Sequence, residues 1–281
     1  MSTSENSGTR IVMLGSGSPI PDPDRSGPAL AIITDEKAYL VDAGPGVVRR
    51  AAAASTKYSI EALRVNRLSQ VFLTHLHHDH IAGLPDLMFT PWTVGRAEPL
   101  TVLGPPDTEG FTQKITEAFH EDLDIRLNGL EPANETGWRT LAKNVMPGEI
   151  YRDDSISVEA FQVDHGGWEF AYGYKFITQD RSIVISGDTT YCPEVLRQAE
   201  GCDVLIHEAY SDIGWRAYPE NWRKYHATFH TAASDLGKLA ELAQPKLLVI
   251  HHILRTSEGL LEEVKEEFSG EATIANDLDI F

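Results

Sequence analysis

The sequence predicts an α/β protein with covered sheets, and three observations carry that prediction. Apolar residues make up 42% of the 281 positions, enough for a substantial buried core. Eight short runs rich in Val, Ile and Leu are separated by Gly, Pro and Asp, which is the pattern of buried strands. Between some of them, apolar residues recur every three or four positions, as in a helix.

The strand candidates are, in order, RIVMLG, ALAIIT, AYLVDAG, QVFLTH, LTVLG, SIVISGD, DVLIHEA and KLLVIHH. The helix candidates are PEVLRQAE, TAASDLGKLAELAQ (231–244) and SEGLLEEVKEEF (257–268). The acidic stretch 120–156 fits surface loop and edge structure. Cys192 and Cys202 flank the first helix candidate without a metal-like spacing, so both are expected to be plain core or near-surface residues in a reducing compartment.

No low-complexity linker and no repeat interrupts the chain, so we expect one domain over residues 1–281, with residues 1–9 flexible. The N-terminal and C-terminal halves remain compatible with two related layers. No signal segment opens the sequence and no apolar run approaches the roughly 20 residues of a membrane helix. A cytoplasmic protein without a membrane partner is therefore expected.

The charge balance is strongly acidic, with 42 acidic against 24 basic residues and a formal net charge of -18. Such a chain is expected to repel phosphate backbones and anionic lipid unless a local basic patch overrides the average. The sequence contains no Lys/Arg run.

Potential ligands and catalytic groups follow the apolar runs at the point where each run ends. VFLT is followed by His75, IVISG by Asp188 and LLVI by His251, and DVLI is followed by His207 and Glu208. Loops after the carboxyl ends of strands converge in α/β sheets, so these five side chains are expected to face one site.

The stretch VFLTHLHHDHIAGLPD, residues 71–86, places four histidines and an aspartate within six positions. Chance packing of so many imidazoles would cost desolvation or mutual repulsion, so metal ligation is the favoured explanation. His75 and His77 can point the same way on an extended turn, while Asp79 and His80 leave in the other direction. That arrangement suits two adjacent ions.

HLHHDH resembles the His-x-His-x-Asp-His signature of the metallo-β-lactamase superfamily. IVMLGSGSPIPD, YLVDAGPG, THLHHDHIAGLP, SGDTTYCPEVL, DVLIHEA, HTAASDLGKLA and LLVIHH follow the order of its ribonuclease Z and arylsulfatase-like branch. The resemblance spans nearly the whole chain. It implies an αββα sandwich of two mixed β-sheets flanked by helices, with a binuclear metal site.

Carried over residue by residue, the resemblance places His75, His77 and His165 on a first metal and Asp79, His80 and His251 on a second. Asp188 matches the bridging carboxylate. The adjacent His252 is the alternative to His251, because neighbours on an extended strand face opposite ways. Two Zn²⁺ ions suit this mixture of imidazole and carboxylate, and Mn²⁺ or Fe²⁺ would also fit.

The remaining histidines are expected to have structural or surface roles. Without the family pattern, His165 would be interpreted as structural. His78 is expected to point away from the metals, and His207 to support the site or the core. His120 and His226 carry no motif and are expected in surface or loop positions.

The resemblance implies hydrolysis by a metal-bridging hydroxide oriented partly by Asp79. Glu208 and His230 match a carboxylate and histidine pair of the ribonuclease Z type, in which the imidazole protonates the leaving oxygen. The competing interpretation is a buried hydrogen-bonded pair that supports the fold.

Three departures favour a small substrate. Ribonuclease Z grips tRNA with a basic arm, whereas residues 120–149 contain no concentrated basic segment. DAGPG stands in place of DCGEG, and His78 replaces the glycine of HLHGDH; both changes resemble the arylsulfatase-like relatives. The aromatic stretch 210–230 could line a substrate pocket, anchor a loop or contact a second subunit.

The favoured function is a binuclear zinc hydrolase of small esters, namely a phosphodiester, sulfate, carboxylic ester or lactone. A small-molecule ester partner is therefore expected and nucleic acid is not. The alternative is a ribonuclease Z-type tRNA 3′-processing endonuclease. An iron-dependent redox protein and a non-catalytic binding module rank below both, and the relatives suggest a homodimer.

Overall fold

The computed structural model describes residues 8–35, 37–254 and 258–281. The chain divides into two compact units. Unit 1 comprises Met1–Gly15, Ser26–Val145 and Asp277–Phe281, and unit 2 comprises Ser16–Arg25 and Met146–Asn276.

Unit 1 contains a six-stranded mixed sheet in the order β1-β2-β3-β4-β5-β6. The strands are β1 (Arg10–Gly15), β2 (Ala29–Thr34), β3 (Lys37–Val41), β4 (Gln70–Phe72), β5 (Leu100–Gly104) and β6 (Thr140–Asn144). The first three pair antiparallel, and the pairs from β3 to β6 are parallel. The carboxyl ends of β3, β4 and β5 therefore meet at one sheet edge.

The helices of unit 1 are α1 (Val47–Tyr58), α2 (His78–Ile81), α3 (Leu84–Thr93), α4 (Thr108–Ala118) and α5 (His120–Asn128). Helix α1 buries Val47, Val48, Ala51 and Ala54, whose spacing forms a single apolar stripe. These side chains share one hydrophobic core with strand residues such as Leu40 and Val71. Burial of this stripe, more than intrinsic propensity, stabilises the helix.

Unit 2 contains a seven-stranded mixed sheet in the order β13-β12-β11-β10-β9-β8-β7. The strands are β7 (Gly148–Arg152), β8 (Ile156–Gln162), β9 (Tyr172–Thr178), β10 (Ser182–Ile185), β11 (Val204–Glu208), β12 (Leu247–His251) and β13 (Ala272–Ile274). Strands β10, β11, β12 and β13 run parallel, so their carboxyl ends also share an edge.

The helices of unit 2 are α6 (Pro193–Ala199), α7 (Asp212–Arg216), α8 (Glu220–Phe229), α9 (Ala233–Ala243) and α10 (Leu260–Glu267). Helix α9 buries Leu236, Leu239 and Ala240 in a core that also contains Leu248 and Ile250 of β12. Cys192 and Cys202 are free and buried, as the sequence predicts.

All eight predicted strands are present in the structure, and the first two helix candidates form α6 and α9. The third forms α10, although its first residue, Ser257, lies outside the described residues. Of residues 1–9, predicted to be flexible, residues 1–7 lie outside the described part, and Thr9 is buried.

The interpretation of residues 120–156 as surface loop and edge structure is only partly right. The segment contains α5, β6 and β7, of which the two strands lie at the edges of their sheets. An edge strand such as TLAKN exposes polar side chains and lacks a long apolar run, so its sequence resembles that of a loop.

Helices α1 and α9 end on non-glycine residues in the left-handed region. Ser59 follows α1 with a φ of 55°, and Gln244 follows α9 with a φ of 52°. Each backbone N–H donates to a carbonyl four residues earlier, which closes the helix end. Within the described residues, every helix is too short or too polar to cross a membrane.

Candidate metal centre

The first group of potential ligands, which we call cluster 1, lies in unit 1 and contains His75, His77, Asp79 and His80. Strand β4 ends at Phe72, and the chain then turns through His75 into α2. Nε2 of His75 lies 3.0 Å from Nδ1 of His77, and the His75 and His80 rings are 4.1 Å apart. The structure thus brings these imidazoles together.

Asp42 organises cluster 1 from the end of the neighbouring strand β3. Its Oδ2 lies 2.8 Å from Nδ1 of His80. Oδ1 accepts from the backbone N–H of Thr74 at 2.8 Å, and the Thr74 hydroxyl bonds the same carboxylate and lies 3.0 Å from Nδ1 of His75. Carboxylates in this position fix the ring orientation of a ligating histidine and raise its basicity.

Asp42 was not among the predicted site residues, although it follows the strand AYLV in AYLVDAG, as the other site residues follow their strands. Asp42 adopts a φ of 62°, which aspartate tolerates better than most residues. Ala43 donates to the His80 carbonyl at 2.8 Å, and Gly83 donates to the Ala43 carbonyl at 2.8 Å. A Cβ on Gly83 would lie 2.3 Å from the Gly44 oxygen, so only glycine permits this approach.

Asp79 and His80 complete cluster 1 from the first turn of α2. Both are buried, and Nε2 of His80 lies 3.6 Å from Oδ2 of Asp79. Because Nδ1 of His80 faces Asp42, Nε2 is the nitrogen on the Asp79 side. His78, predicted to point away, is exposed.

The second group, which we call cluster 2, lies in unit 2 and contains His165, Asp188, His230 and His252. Ligand atoms of Asp188, His230 and His252 all lie within 4.8 Å of one another, and one of His165 lies within 4.8 Å of Asp188. All four are buried. Nδ1 of His165 donates to the Phe229 carbonyl at 2.8 Å, which leaves Nε2 as its ligand atom.

The structure favours His252 over the predicted ligand His251. Nε2 of His252 lies 3.3 Å from Oδ2 of Asp188, whereas His251 belongs to none of the three-ligand groups among the described residues. His251 is the last residue of β12, and His252 follows it with a φ of 50°. The two neighbours consequently face different sides, and the apolar run alone did not reveal which.

Glu208 and His230 form the predicted pair. Oε1 of Glu208 lies 3.1 Å from Nδ1 of His230 and accepts from the backbone N–H groups of Thr189 and Thr231. Glu208 is fully buried and His230 is 4% exposed. A carboxylate is acceptor-only, so Nδ1 of His230 carries the hydrogen and Nε2 is the nitrogen available for chemistry.

His207 and His226 complete the histidines of unit 2. His207 is fully buried, as expected for a supporting residue, and burial lowers its pKa and favours the neutral ring. His226 was predicted at the surface or in a loop, which is wrong: it is 6% exposed and lies in α8 among aromatic rings. Its spacing from Trp222 and Phe229, four and three residues, was the signal for one helix face.

The chemistry of both clusters fits a divalent metal. Each combines imidazole nitrogen with carboxylate oxygen, the ligand types of zinc and related ions. In each cluster a histidine has its second nitrogen bound to a protein acceptor, Asp42 in one case and the Phe229 carbonyl in the other. These arrangements are compatible with metal binding.

Comparison with known proteins identifies the family of this chain. The protein-family model described as Beta-lactamase superfamily domain matches residues 37–253 of the sequence. Ribonuclease Z of Mycobacterium bovis (strain BCG / Pasteur 1173P2) is 31% identical over 277 residues, covering 95% of this chain and 96% of that protein. The chain therefore belongs to the metallo-β-lactamase superfamily. Within that superfamily, the matched relatives are ribonucleases Z.

Solved structures confirm the predicted αββα fold class of two mixed sheets flanked by helices. The metallo-β-lactamase fold protein YhfI from Bacillus subtilis has a TM-score of 0.72 at 20% identity, with 97% of this chain and 98% of that chain covered. The short form of human tRNase Z has a TM-score of 0.71 at 21% identity, with the same coverage.

The relatives overturn one expectation. A small-molecule ester partner was favoured and nucleic acid was not, yet the matched relatives are ribonucleases. The net charge of the whole chain was a poor guide here, because phosphate contacts depend on the local groups beside a site. The alternative function, of the ribonuclease Z type, has the better support.

Proposed function

We propose that this protein is a metal-dependent endoribonuclease of the ribonuclease Z type that cleaves a phosphodiester bond near the 3′ end of tRNA precursors. Relatives that match 95% of the chain support the substrate class. The observation that supports the chemistry is the buried Glu208–His230 pair. A ring nitrogen of His230 lies within 4.8 Å of a carboxylate oxygen of Asp188. A cytoplasmic location, expected from the sequence, belongs to the same proposal.

We propose two zinc ions as the cofactor. His75, His77 and His165 would bind one ion, Asp79, His80 and His252 would bind the other, and Asp188 would serve both. The assignment follows the family pattern in the sequence, with His252 in place of His251. When bound, the ions would polarise the phosphoryl oxygen and lower the pKa of a water molecule. Elemental analysis distinguishes zinc from manganese or iron.

Side chains of the protein supply the other catalytic and positioning roles. Asp79 accepts a hydrogen bond from the attacking water and orients it. Nε2 of His230 donates a proton to the oxygen that leaves the phosphorus, and Glu208 holds the required tautomer and stabilises the protonated ring. Asp42 and Thr74 keep His80 and His75 in position.

The test is cleavage of a 3′-extended tRNA precursor by metal-replete protein, with the cut mapped to the nucleotide. Bis(p-nitrophenyl) phosphate, p-nitrophenyl sulfate and p-nitrophenyl acetate serve as comparison substrates. We expect a single endonucleolytic cut that chelation abolishes and zinc restores. Turnover of the small esters without cleavage of the precursor would refute the proposal.

A further inference from the structure

Unit 2 contains a cavity of about 540 Å³ beside cluster 2. Its wall includes Tyr218, Trp222, Tyr225, His226 and His230, with Leu254 among the apolar residues. The volume falls within the roughly 300–1,000 Å³ of sites that bind small molecules or single groups of larger ones. The aromatic stretch predicted as pocket, anchor or subunit contact therefore lines a pocket.

Helix α8 presents the aromatic wall. Trp222, Tyr225, His226 and Phe229 are spaced by three, one and three residues, which places them on one face of the helix. The Trp222 and Tyr225 rings are 5.6 Å apart and nearly perpendicular, at 86°. Trp222 is 48% exposed, an unusual degree for tryptophan, so its ring remains accessible for stacking.

The cavity shares His230 with the proposed catalytic machinery. The Tyr225 and His230 rings are 5.8 Å apart, and Nδ1 of His230 faces Glu208 at 3.1 Å. A group bound against Tyr225 would therefore lie next to the proposed proton donor. If His230 is the proton donor, the cavity lies on the leaving-oxygen side of the scissile bond.

The chemistry of the wall suits a nucleobase. Flat aromatic faces bind bases by stacking, largely without regard to sequence, and unpaired bases are the parts of RNA that proteins bind in this way. Asn221 is also in the wall, and its amide offers a donor and an acceptor to a base edge. The segment 211–230 also carries Arg216, Arg223 and Lys224 against two acidic residues, which favours phosphate locally in an acidic chain.

We propose that this cavity is a stacking subsite for one unpaired base of the RNA substrate, the base of the nucleotide that carries the leaving oxygen. The inference rests on the proposed function. It adds the place at which one base of the substrate is bound. Trp222 stacks on the base, and Tyr225, whose ring is nearly perpendicular to that of Trp222, contacts the edge of the base. The role of both residues is binding. His230 acts on the bond beside it.

The first experiment measures binding alone. Equilibrium dialysis compares adenosine monophosphate with ribose 5-phosphate, which keeps the phosphate and lacks the base. For Trp222→Ala we expect binding of the nucleotide to weaken by about 5- to 150-fold, the range of one stacking contact, and binding of ribose 5-phosphate to stay unchanged. Trp222→Phe, which retains a ring, should restore most of the affinity.

The second experiment measures cleavage of precursors with a single abasic nucleotide on either side of the scissile bond. Removal of the base on the leaving-group side should raise KM for the wild-type protein, and removal on the other side should not. Trp222→Ala should show no further loss on the abasic substrate. Leu242→Ala, on exposed α9 surface, is the matched control, with metal content and circular dichroism checked for every variant.

The outcomes separate the two proposals. If Trp222→Ala binds the nucleotide as wild type does, or if the abasic nucleotide costs nothing, the stacking subsite is refuted while RNA cleavage stands. If nucleotide binding depends on Trp222 but no precursor is cleaved, the proposed function is refuted and the base-binding pocket stands. Equal weakening of both dialysis ligands would indicate general damage to the site and also refute stacking.

Discussion

Asp188 and His230 have different proposed roles, although their ligand atoms lie within 4.8 Å of each other. That proximity alone would allow His230 to be a metal ligand. The hydrogen bond from Nδ1 to buried Glu208 and the place of His230 in the cavity wall favour a proton donor instead. The distinction between ligand and acid is measurable.

We expect Asp188→Ala to lose metal and nearly all activity, because both proposed ions lose a shared ligand. His230→Ala should retain its metal and lower kcat by about 10²- to 10⁴-fold, the usual contribution of a general acid. Metal content by elemental analysis and steady-state cleavage rates are the measurements. Equal loss of metal from the two variants would make His230 a ligand.

Asp42→Asn should weaken metal binding by about 10- to 100-fold, because the neutral amide no longer holds His80 and Thr74 through a charged acceptor. Competition with a chromogenic chelator measures the affinity. Asp235→Asn removes an exposed carboxylate paired with Lys238 and is the control. An unchanged metal affinity in Asp42→Asn would show that the Asp42 carboxylate does not position the ligands.

At the scale of elements, Glu263 of α10 anchors the start of the aromatic segment. Its buried carboxylate accepts from the Ser211 hydroxyl at 2.9 Å and from the backbone N–H groups of Asp212 and Ile213 at 2.7 and 3.1 Å. These bonds satisfy donors at the N-terminus of α7, directly before α8. The carboxylate thus fixes the point from which the cavity wall extends.

Glu263→Ala should therefore speed hydrogen exchange across residues 211–229 and destabilise the protein by about 1–3 kcal/mol, since one buried and two partly buried donors lose a charged acceptor. Exchange monitored by mass spectrometry locates the effect. Glu262→Ala, a substitution at the neighbouring position of the same helix, is the control. Uniform acceleration over the whole chain would argue against a local anchor.

Asp203 ties together the starts of three parallel strands. Its carboxylate pairs with Lys246 at 2.7 Å and accepts from the Ser182 N–H at 2.7 Å. The Lys246 contact, followed by the Ser182 N–H, lowers the pKa of Asp203 from 3.8 to about 2. Because the folded-state pKa is depressed, this stabilisation is present above about pH 4 and is lost as the pH falls towards 2.

The difference in unfolding free energy between wild type and Asp203→Asn should be largest near about pH 6 and shrink steadily on acidification to about pH 2. Urea unfolding at a series of pH values measures it. Asp235→Asn again controls for a generic loss of charge. A difference that stays constant with pH would contradict the depressed pKa.

The sequence predicted these elements unevenly, for physical reasons. Buried parallel strands such as β10, β11 and β12 are continuous apolar runs, so they were recognised along with the residues that follow them. The edge strands β6, β7 and β13 were not recognised, and neither were the internal antiparallel strands β8 and β9. The choice between His251 and His252 depended on one left-handed backbone angle, and the role of Asp42 depended on a contact 38 residues away along the chain.

At the scale of the whole molecule, a net charge of -18 has to be reconciled with the proposed RNA substrate. Long-range attraction is weak for such a chain, so affinity must come from metal ions, stacking and a few local basic groups. Arg216 and Lys224 are exposed, and Arg223 lies 5.6 Å from the Trp215 ring. Few phosphates can then be neutralised.

The salt dependence should accordingly be shallow. With these three basic side chains on single-stranded phosphates, the slope of log(kcat/KM) against log salt concentration should be about -2. Arg216→Ala combined with Lys224→Ala should reduce its magnitude by about 1.4. Cleavage rates from low to high salt give the slope. A much steeper wild-type slope would require a basic surface elsewhere.

The left-handed residues that end α1 and α9 are positions at which the thermal stability of the protein could be raised. Ser59 and Gln244 each bear a side chain in a conformation that costs an L-amino acid about 1–2 kcal/mol, part of which glycine would recover after its own entropy loss. Neither position is a proposed ligand or a member of the Glu208–His230 pair. Evolution or an engineer could thus gain thermal tolerance at these two sites and leave the chemistry untouched.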